Sequence, residues 1–369
     1  MPSSKWFKIG YGIIIVMVII FLATKIDFIF TPIEIFFETL FMPFLISGVL
    51  YYLLRPIVYF LNRKNVPKAV SILLIYLIVI GGAAALVYFA GPELQRQFKD
   101  LMDNYPQYIE GLRNKADELQ NSAWFSRFQE NDYITLDYIT EQVSSYFKSN
   151  FSDLSSRLTG VFSIVTSVVT VIVTVPFIVF YLLKDSEGAS KGMVRYLPYF
   201  QAAETRKILK DMDEALSSYI QGQAIVSFIV GVMMYIGYLI IGIKYSLILA
   251  IVAMLTNVIP FLGPFLALVP AVIVGFTMSP FMALKVILVV IVVQQIDGNV
   301  SSPLIMGRKL DVHPLTIILI LLVAGNLAGL IGMIVAVPAY AIIKVIISHA
   351  YRLYVLKRAD REQIIQVED

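Results

Sequence analysis

Residues 245–343 form an apolar run of nearly a hundred residues, and its polar, proline and glycine positions gather at two matched interruptions. Between Lys244 and Arg308 the only charged side chains are Lys285 and Asp297, and residues 315–343 carry none. The first interruption reads Asn257-Val-Ile-Pro260-Phe-Leu-Gly263-Pro264; the second reads Asn326-Leu-Ala-Gly329-Leu-Ile-Gly332-Met. In both, glycine follows asparagine by six positions, and the apolar arms continue through Ala267 and Ala336 to Pro270 and Pro338. This pattern reads as an internal repeat of broken membrane helices, a device by which many secondary transporters build a binding site at mid-membrane.

Composition places the rest of the chain in the same class. Of its 369 residues 58% are hydrophobic and only 15% charged, with a mean hydropathy of +0.79, far from soluble globular usage. Crossing about 30 Å of hydrocarbon takes roughly 20 helical residues. Residues 69–92, 158–183 and 215–243 meet that length, and 9–24 and 39–54 are shorter candidates. Lys5 and Lys8 precede the first run as in a secretory signal, but no small-residue cleavage pattern follows and further spans do; it reads as a retained helix. The absence of cysteine excludes a disulfide framework and thiolate chemistry. The only histidines, His313 and His349, leave no histidine-rich metal site, and neither metal nor cofactor is expected. The net charge of +3 comes from basic residues spread over loops, which is not a nucleic-acid face.

Lys and Arg mark the cytoplasmic side of a membrane protein. The groups Lys5/Lys8, Arg55/Arg63/Lys64/Lys68, Lys184–Lys210 and Arg352–Arg361 all fall on one side if the spans alternate from a cytoplasmic N-terminus. Residues 93–157 are then an extracytoplasmic insert. Leu94, Phe98, Leu101, Tyr105, Tyr108, Leu112, Ala116 and Leu119 recur at helical steps, with Pro92 and Glu93 suited to a first turn. A second amphipathic pattern, Leu136 to Leu154, leads into the next span, with a join near 121–133. A cap packing on itself, a subunit contact in a homo-oligomer and an interfacial helix pair all fit this insert. Residues 201–219 read as a cytoplasmic interfacial helix.

By the same parity, residue 281 to Asp297 crosses inward, the first broken hairpin enters from outside and the second from inside. The fold expected is an all-α integral membrane protein with about six to eight transmembrane helices and two broken or re-entrant hairpins in an inverted repeat. Its parts are membrane helices (1–92), the insert (93–157), a membrane helix with the interfacial helix (158–219), the inverted-repeat transport unit (220–348) and a cytoplasmic tail (349–369).

Breaking a helix in hydrocarbon leaves backbone groups unpaired unless protein or a wet cavity satisfies them. Pro260, Gly263, Pro264, Gly329 and Gly332 are the break and hinge positions. Asn257 and Asn326 at the breaks either cap helices or bind a solute. Gln294, Gln295, Asp297, Asn299 and Ser301 form a polar cluster at the inner end of the crossing helix. A carboxylate there is a candidate for ion or proton coupling; the alternative is a helix cap or a pair with Arg308 or Lys309. The glutamines serve equally well as interhelical hydrogen-bonding groups. Lys285 is expected to snorkel to the interface, and His313 before Pro314 to start a helix or act as a titrating gate.

The chain resembles the autoinducer-2 exporter family of bacterial membrane proteins, once classed as uncharacterised permeases. The resemblance rests on Tyr181-Leu-Leu-Lys-Asp185, Tyr219-Ile-Gln-Gly-Gln223, Asn257 through Pro264, Gln294-Gln-Ile-Asp-Gly-Asn-Val-Ser-Ser-Pro303, His313-Pro314 and Gly329 through Pro338, in that order. Ser302 departs from the pattern, where the family often has a bulkier apolar residue. The resemblance covers essentially the whole chain. It implies a multi-span inner-membrane transporter of autoinducer-2 or a similar small polar solute; some relatives resemble sodium or lithium/proton antiporters instead.

With no Gly-x-x-x-x-Gly-Lys-Ser/Thr loop, an ion gradient must drive any active transport. An intramembrane enzyme is not expected, since no His-Glu-x-x-His or Gly-x-Ser-x-Gly motif occurs. A non-transporting scaffold or signalling protein would explain the insert but not two matched breaks. The partners expected are therefore the lipid bilayer and a small polar solute, Na+ or H+, and no nucleic acid.

Overall fold

An apolar chain in lipid must satisfy its backbone internally, and a helix does this within a single segment. In the computed structural model the described residues are 10–12, 14–18, 21, 27–120, 161–185, 199–306 and 312–368, and all regular structure among them is helical. The main elements are α1 (Asp27–Asn62), α2 (Lys68–Gln120), α3 (Val161–Lys184), α4 (Tyr199–Ile241), α5 (Ser246–Thr256), α6 (Leu262–Met278) and α7 (Pro280–Ile296). A π-helical turn (Asp297–Ser301), α8 (Ser302–Met306) and α9 (Pro314–Glu368) complete them.

Among the described residues, five helical stretches are long and apolar enough to cross a membrane: Glu38–Asn62, Lys68–Leu101, Glu204–Ile241, Pro280–Ile305 and Pro314–Tyr351. Val173–Lys184, α5 and α6 are apolar but shorter. The protein is therefore a multi-pass membrane protein. Leu77, Ile80, Leu86, Tyr88 and Phe89 on α2 are all more than two-thirds exposed, as lipid-facing side chains should be. The expected second amphipathic pattern, 136–154, and the basic pair Arg308/Lys309 lie outside the described residues.

Two boundaries read from the sequence fall inside continuous helices. Pro92 and Glu93 do not open a new helix, because α2 runs unbroken through them. Glu93 accepts hydrogen bonds from Arg96 (2.7 Å) and Gln97 (2.7 Å) one turn on. The interfacial stretch 201–219 and the following span are likewise one 43-residue helix, α4. A proline is tolerated inside a membrane helix where neighbouring groups or local adjustment satisfy the backbone it frees.

The chain divides into two compact units. In the first (1–51 and 162–183), buried Ser47 of α1 donates to the carbonyl of Val175 on α3 (3.4 Å). In the second (52–161 and 184–369), α4 packs against α5, α7, α8 and α9, while α5, α6 and α7 pack on one another in sequence. Val226, Val230, Met234 and Tyr238 of α4 form its core with residues of α5, α6 and α7. Lipid tails are as apolar as leucine, so close approach rather than burial from water drives such packing. Small residues provide it: Gly231 of α4 faces Met254, and Gly275 of α6 faces Ala283 across the single-residue corner at Ser279.

Among the described residues, α2 packs on α5 and α6, with Leu101 of the predicted face against the core cluster. Gln97 uses both ends of its amide there. Its nitrogen donates to Glu93, and its Oε1 accepts from the Ile248 amide (3.3 Å) in the first turn of α5. Tyr245 at the α5 N-cap makes no side-chain cap, so Gln97 supplies an acceptor that the helix start otherwise lacks.

Candidate functional site

The first break begins where Thr256 Oγ1 bonds back to the carbonyl of Val252 (2.8 Å), a bond that competes with the helix ladder. Residues 257–261 then turn the chain. The Leu262 amide donates to the Pro260 carbonyl (2.7 Å) around Phe261, whose φ of 62° and ψ of −49° place it in a γ-turn of the rare, strained hand. Pro264 sits in the first turn of α6, where its missing N–H would have had no helical partner. A Cβ on Gly263 would overlap the carbonyl oxygen of Thr256, so only glycine lets the two arms approach this closely.

The second break falls at Ala328 (φ −140°, ψ 21°) and Gly329 (φ 59°, ψ −142°) inside α9. That conformation of Gly329 is essentially reserved for glycine. A Cβ on Gly332 would overlap the carbonyl oxygen of Ala324. The two breaks thus share a close backbone approach at Gly263 and Gly332, while the residue at positive φ is Phe261 in the first and Gly329 in the second.

Both hairpins contribute to one buried cluster that includes Tyr219 of α4. Buried Tyr219 clusters with Ile259 from the first break and with Leu321, Ala336 and Val337 from the two arms of the second. Tyr219, Gln223 and Ser227 follow at four-residue intervals and share one face; all are buried. Gln223 Nε2 donates to the main-chain carbonyl of Asn257 (2.6 Å), satisfying an acceptor that the break frees. Tyr219 Oη and Ser227 Oγ make no hydrogen bond.

The predicted polar cluster lies at the end of α7, in a π-helical turn that packs against α4. Such turns insert an extra residue into a helix and recur at functional sites. Half-buried Asp297 accepts from Ser302 Oγ (3.1 Å). The exposed Asn299 amide donates to Gln295, at its carbonyl (2.8 Å) and its side-chain oxygen (2.9 Å). Ser301 is buried, and the buried Nε2 of Gln294 has no partner.

Of the two break asparagines, Asn257 is buried, whereas Asn326 is exposed and donates to the carbonyl of Leu322 in its own helix (3.0 Å). Lys285 Nζ sits 4.9 Å from the centre of the Phe281 ring. Exposed His313 accepts from the Leu315 amide (3.3 Å) at the start of α9. Among the described residues no group of three His, Cys, Asp or Glu side chains could hold a metal ion.

The sequence reading did not single out Tyr219, Gln223 or Ser227 as site residues. Tyr219 and Gln223 lie in a motif that carries the family resemblance, and a polar step of four to Ser227 within an apolar span is the further signal. It also missed two anchors of α4. Arg55 Nη1 pairs with Asp213 (2.6 Å), which accepts as well from Tyr52 Oη (3.2 Å), while Gln221 donates to the Tyr52 carbonyl (2.8 Å). Two residues earlier, Asp211 lies 2.7 Å from Nε2 of buried His349 on α9.

A sequence profile described as "AI-2E family transporter" matches residues 12–352. The chain is 44% identical over 349 residues to "Putative transport protein YueF" of Bacillus subtilis (strain 168), covering 95% of this chain and 94% of that one. It is 33% identical over 340 residues to "Putative transport protein YrrI" of the same organism, covering 92% and 95%. "Putative permease PerM" of Escherichia coli (strain K12) is 29% identical over 180 residues, 48% of this chain and 50% of that one. The family and its named relatives support a membrane transport role. With its near full-length profile match, its spanning helices and its paired breaks, this chain belongs to the AI-2E transporter family.

Proposed function

We propose that the protein is a secondary transporter of the bacterial plasma membrane, with both termini cytoplasmic, that moves a small polar solute such as autoinducer-2 on an ion gradient. The observation that carries this reading is that residues of both hairpins share one buried cluster with Tyr219 of α4. Two helices broken by the same glycine device, held on one face of a third, supply freed backbone groups next to buried polar side chains. In this reading the hairpins enter from opposite sides of the membrane, and alternating access comes from their movement against each other beside α4. Asp297, the only acid in 245–307, couples the ion.

A second reading, Na+ or Li+ against H+ antiport, is favoured by the same carboxylate. It is half-buried in a π-helical turn with a single neutral hydrogen-bond donor recorded beside it.

The test is purified protein in liposomes holding a pH dye. Sodium and lithium gradients are imposed, autoinducer-2 is then added, and wild type is compared with Asp297→Asn. Proton movement or uptake on adding the solute supports the exporter. Cation-driven proton movement without a solute response, lost in the variant, supports antiport. No response to either would overturn both and leave a membrane scaffold.

A further inference from the structure

Residues 39–92 contain no Asp or Glu, and their basic residues, Arg55, Arg63, Lys64 and Lys68, all fall between positions 55 and 68. That places them at the α1–α2 corner, where one membrane-spanning stretch ends and the next begins. Arg55 is neutralised by Asp213 of α4. Among the described residues, Arg63, Lys64 and Lys68 meet no carboxylate.

The corner holds these cations in fixed places. The amides of Arg63, Lys64 and Asn65 donate to the carbonyls of Tyr59 (3.0 Å), Leu61 (2.9 Å) and Asn62 (3.1 Å). Asn65 makes the turn at a φ of 63°, a conformation that asparagine tolerates. The Lys64 ammonium lies back over the Phe60 ring, 4.9 Å from its centre. Phe60 is 59% exposed and Ile57, three residues earlier, is 45% exposed; that spacing puts both on one face of α1. Lys68 Nζ donates to the carbonyl of Lys184 (3.4 Å), and Lys184 with Asp185 adds no net charge there.

We propose that the α1–α2 corner is a binding site for an anionic phospholipid, whose phosphate meets Arg63 and Lys64 with Lys68 beside them, while its acyl chains lie along Phe60 and Ile57. The inference goes beyond the transport reading and holds whatever the protein carries. Cations fixed next to an apolar, lipid-facing surface find their counter-charge in a phosphate that is itself attached to hydrocarbon. A guanidinium meets phosphate in bidentate fashion and an ammonium meets it as a point charge. A zwitterionic lipid brings its own cation to the same place and leaves the excess charge unbalanced. A free phosphate ion matches the cations but makes no use of the apolar face.

The full-length protein in a non-ionic detergent is titrated with phosphatidylglycerol, phosphatidylcholine and inorganic phosphate. Binding is read by thermal shift and by the lipid phosphorus that stays with the protein through gel filtration. Arg63→Gln/Lys64→Gln spares the Lys68 bond and should leave the lipid-free Tm unchanged. Arg206→Gln/Lys207→Gln, at exposed positions of α4, removes the same charge elsewhere. The expected result is that phosphatidylglycerol raises the Tm of wild type and phosphatidylcholine does not. Its affinity should be about tenfold or more weaker in the corner variant and unchanged in the α4 variant. Added sodium chloride should weaken binding to wild type more than to the corner variant. Equal phosphatidylglycerol affinity in wild type and the corner variant would overturn the site. An equal loss in the α4 variant would overturn it in favour of attraction to the protein's charge as a whole. A shift with inorganic phosphate as large as that with the lipid would replace the lipid by a soluble anion. No phosphatidylglycerol effect on wild type would overturn the inference outright.

Discussion

Gly263 and Gly332 each let one arm of a broken helix pack against the backbone of the arm before it. A Cβ on either would overlap a main-chain carbonyl oxygen of the arm before the break, that of Thr256 in one case and of Ala324 in the other. Each lies six residues after an asparagine. The two breaks thus share a close approach at the glycine, although the turns themselves differ, with Phe261 at positive φ in one and Gly329 in the other.

Alanine at either glycine must push backbone apart. Gly263→Ala and Gly332→Ala should each destabilise by about 1–3 kcal/mol or more and depress transport. Gly82→Ala is the contrast: a Cβ there meets nothing within 4 Å on a lipid-facing stretch of α2. It should gain up to about 1 kcal/mol from helix propensity. Thermal denaturation in detergent and liposome uptake check all three.

Phe261 is held at positive φ with its ring 45% exposed. Such backbone strain costs about 1–3 kcal/mol for a residue with a side chain. Phe261→Gly should relieve it at little loss of packing, giving a Tm equal to or above wild type. A fall of several degrees would mean that the ring's contacts outweigh the strain.

Arg55 and Asp213 form a partly buried ion pair, with side chains 23% and 33% exposed, that ties the end of α1 to α4. A double-mutant cycle on Arg55→Ala and Asp213→Asn should give a coupling of about 1–2 kcal/mol, above the range of a fully exposed pair. Additive losses would assign the contact no net role.

Asp297→Asn keeps an oxygen able to accept from Ser302. Stability should stay within about 1 kcal/mol of wild type while gradient-driven transport is lost. Normal coupled transport by the variant would remove Asp297 from the mechanism.

The breaks were legible in the sequence because charge-free chain makes every proline, glycine and asparagine conspicuous. The face of α2 was legible at Leu101, which packs against the core cluster that the first hairpin shares. Pro92 misled because a proline marks a helix end only where nothing else continues the helix. The stripe Tyr219–Gln223–Ser227 was hidden for another reason. In a membrane helix the lipid face and the protein face are both apolar, so three polar residues do not announce which way they point. Burial of that face depends on where two distant hairpins dock, and periodicity carries no record of it. Asn326 shows the converse: it matches Asn257 in the sequence yet is exposed and bonds to its own helix.

The absence of native cysteine allows the most direct measurement. Cysteines replacing Ile259 and Leu321 place one thiol at the first break and one on the second hairpin, within the shared cluster around Tyr219. The pair is bridged with a short thiol-specific cross-linker that a reductant cleaves, and transport in liposomes is followed before bridging, after bridging and after reduction. If the hairpins move against each other to carry solute, bridging should abolish transport and reduction should restore it. Full transport by the bridged protein would contradict the account.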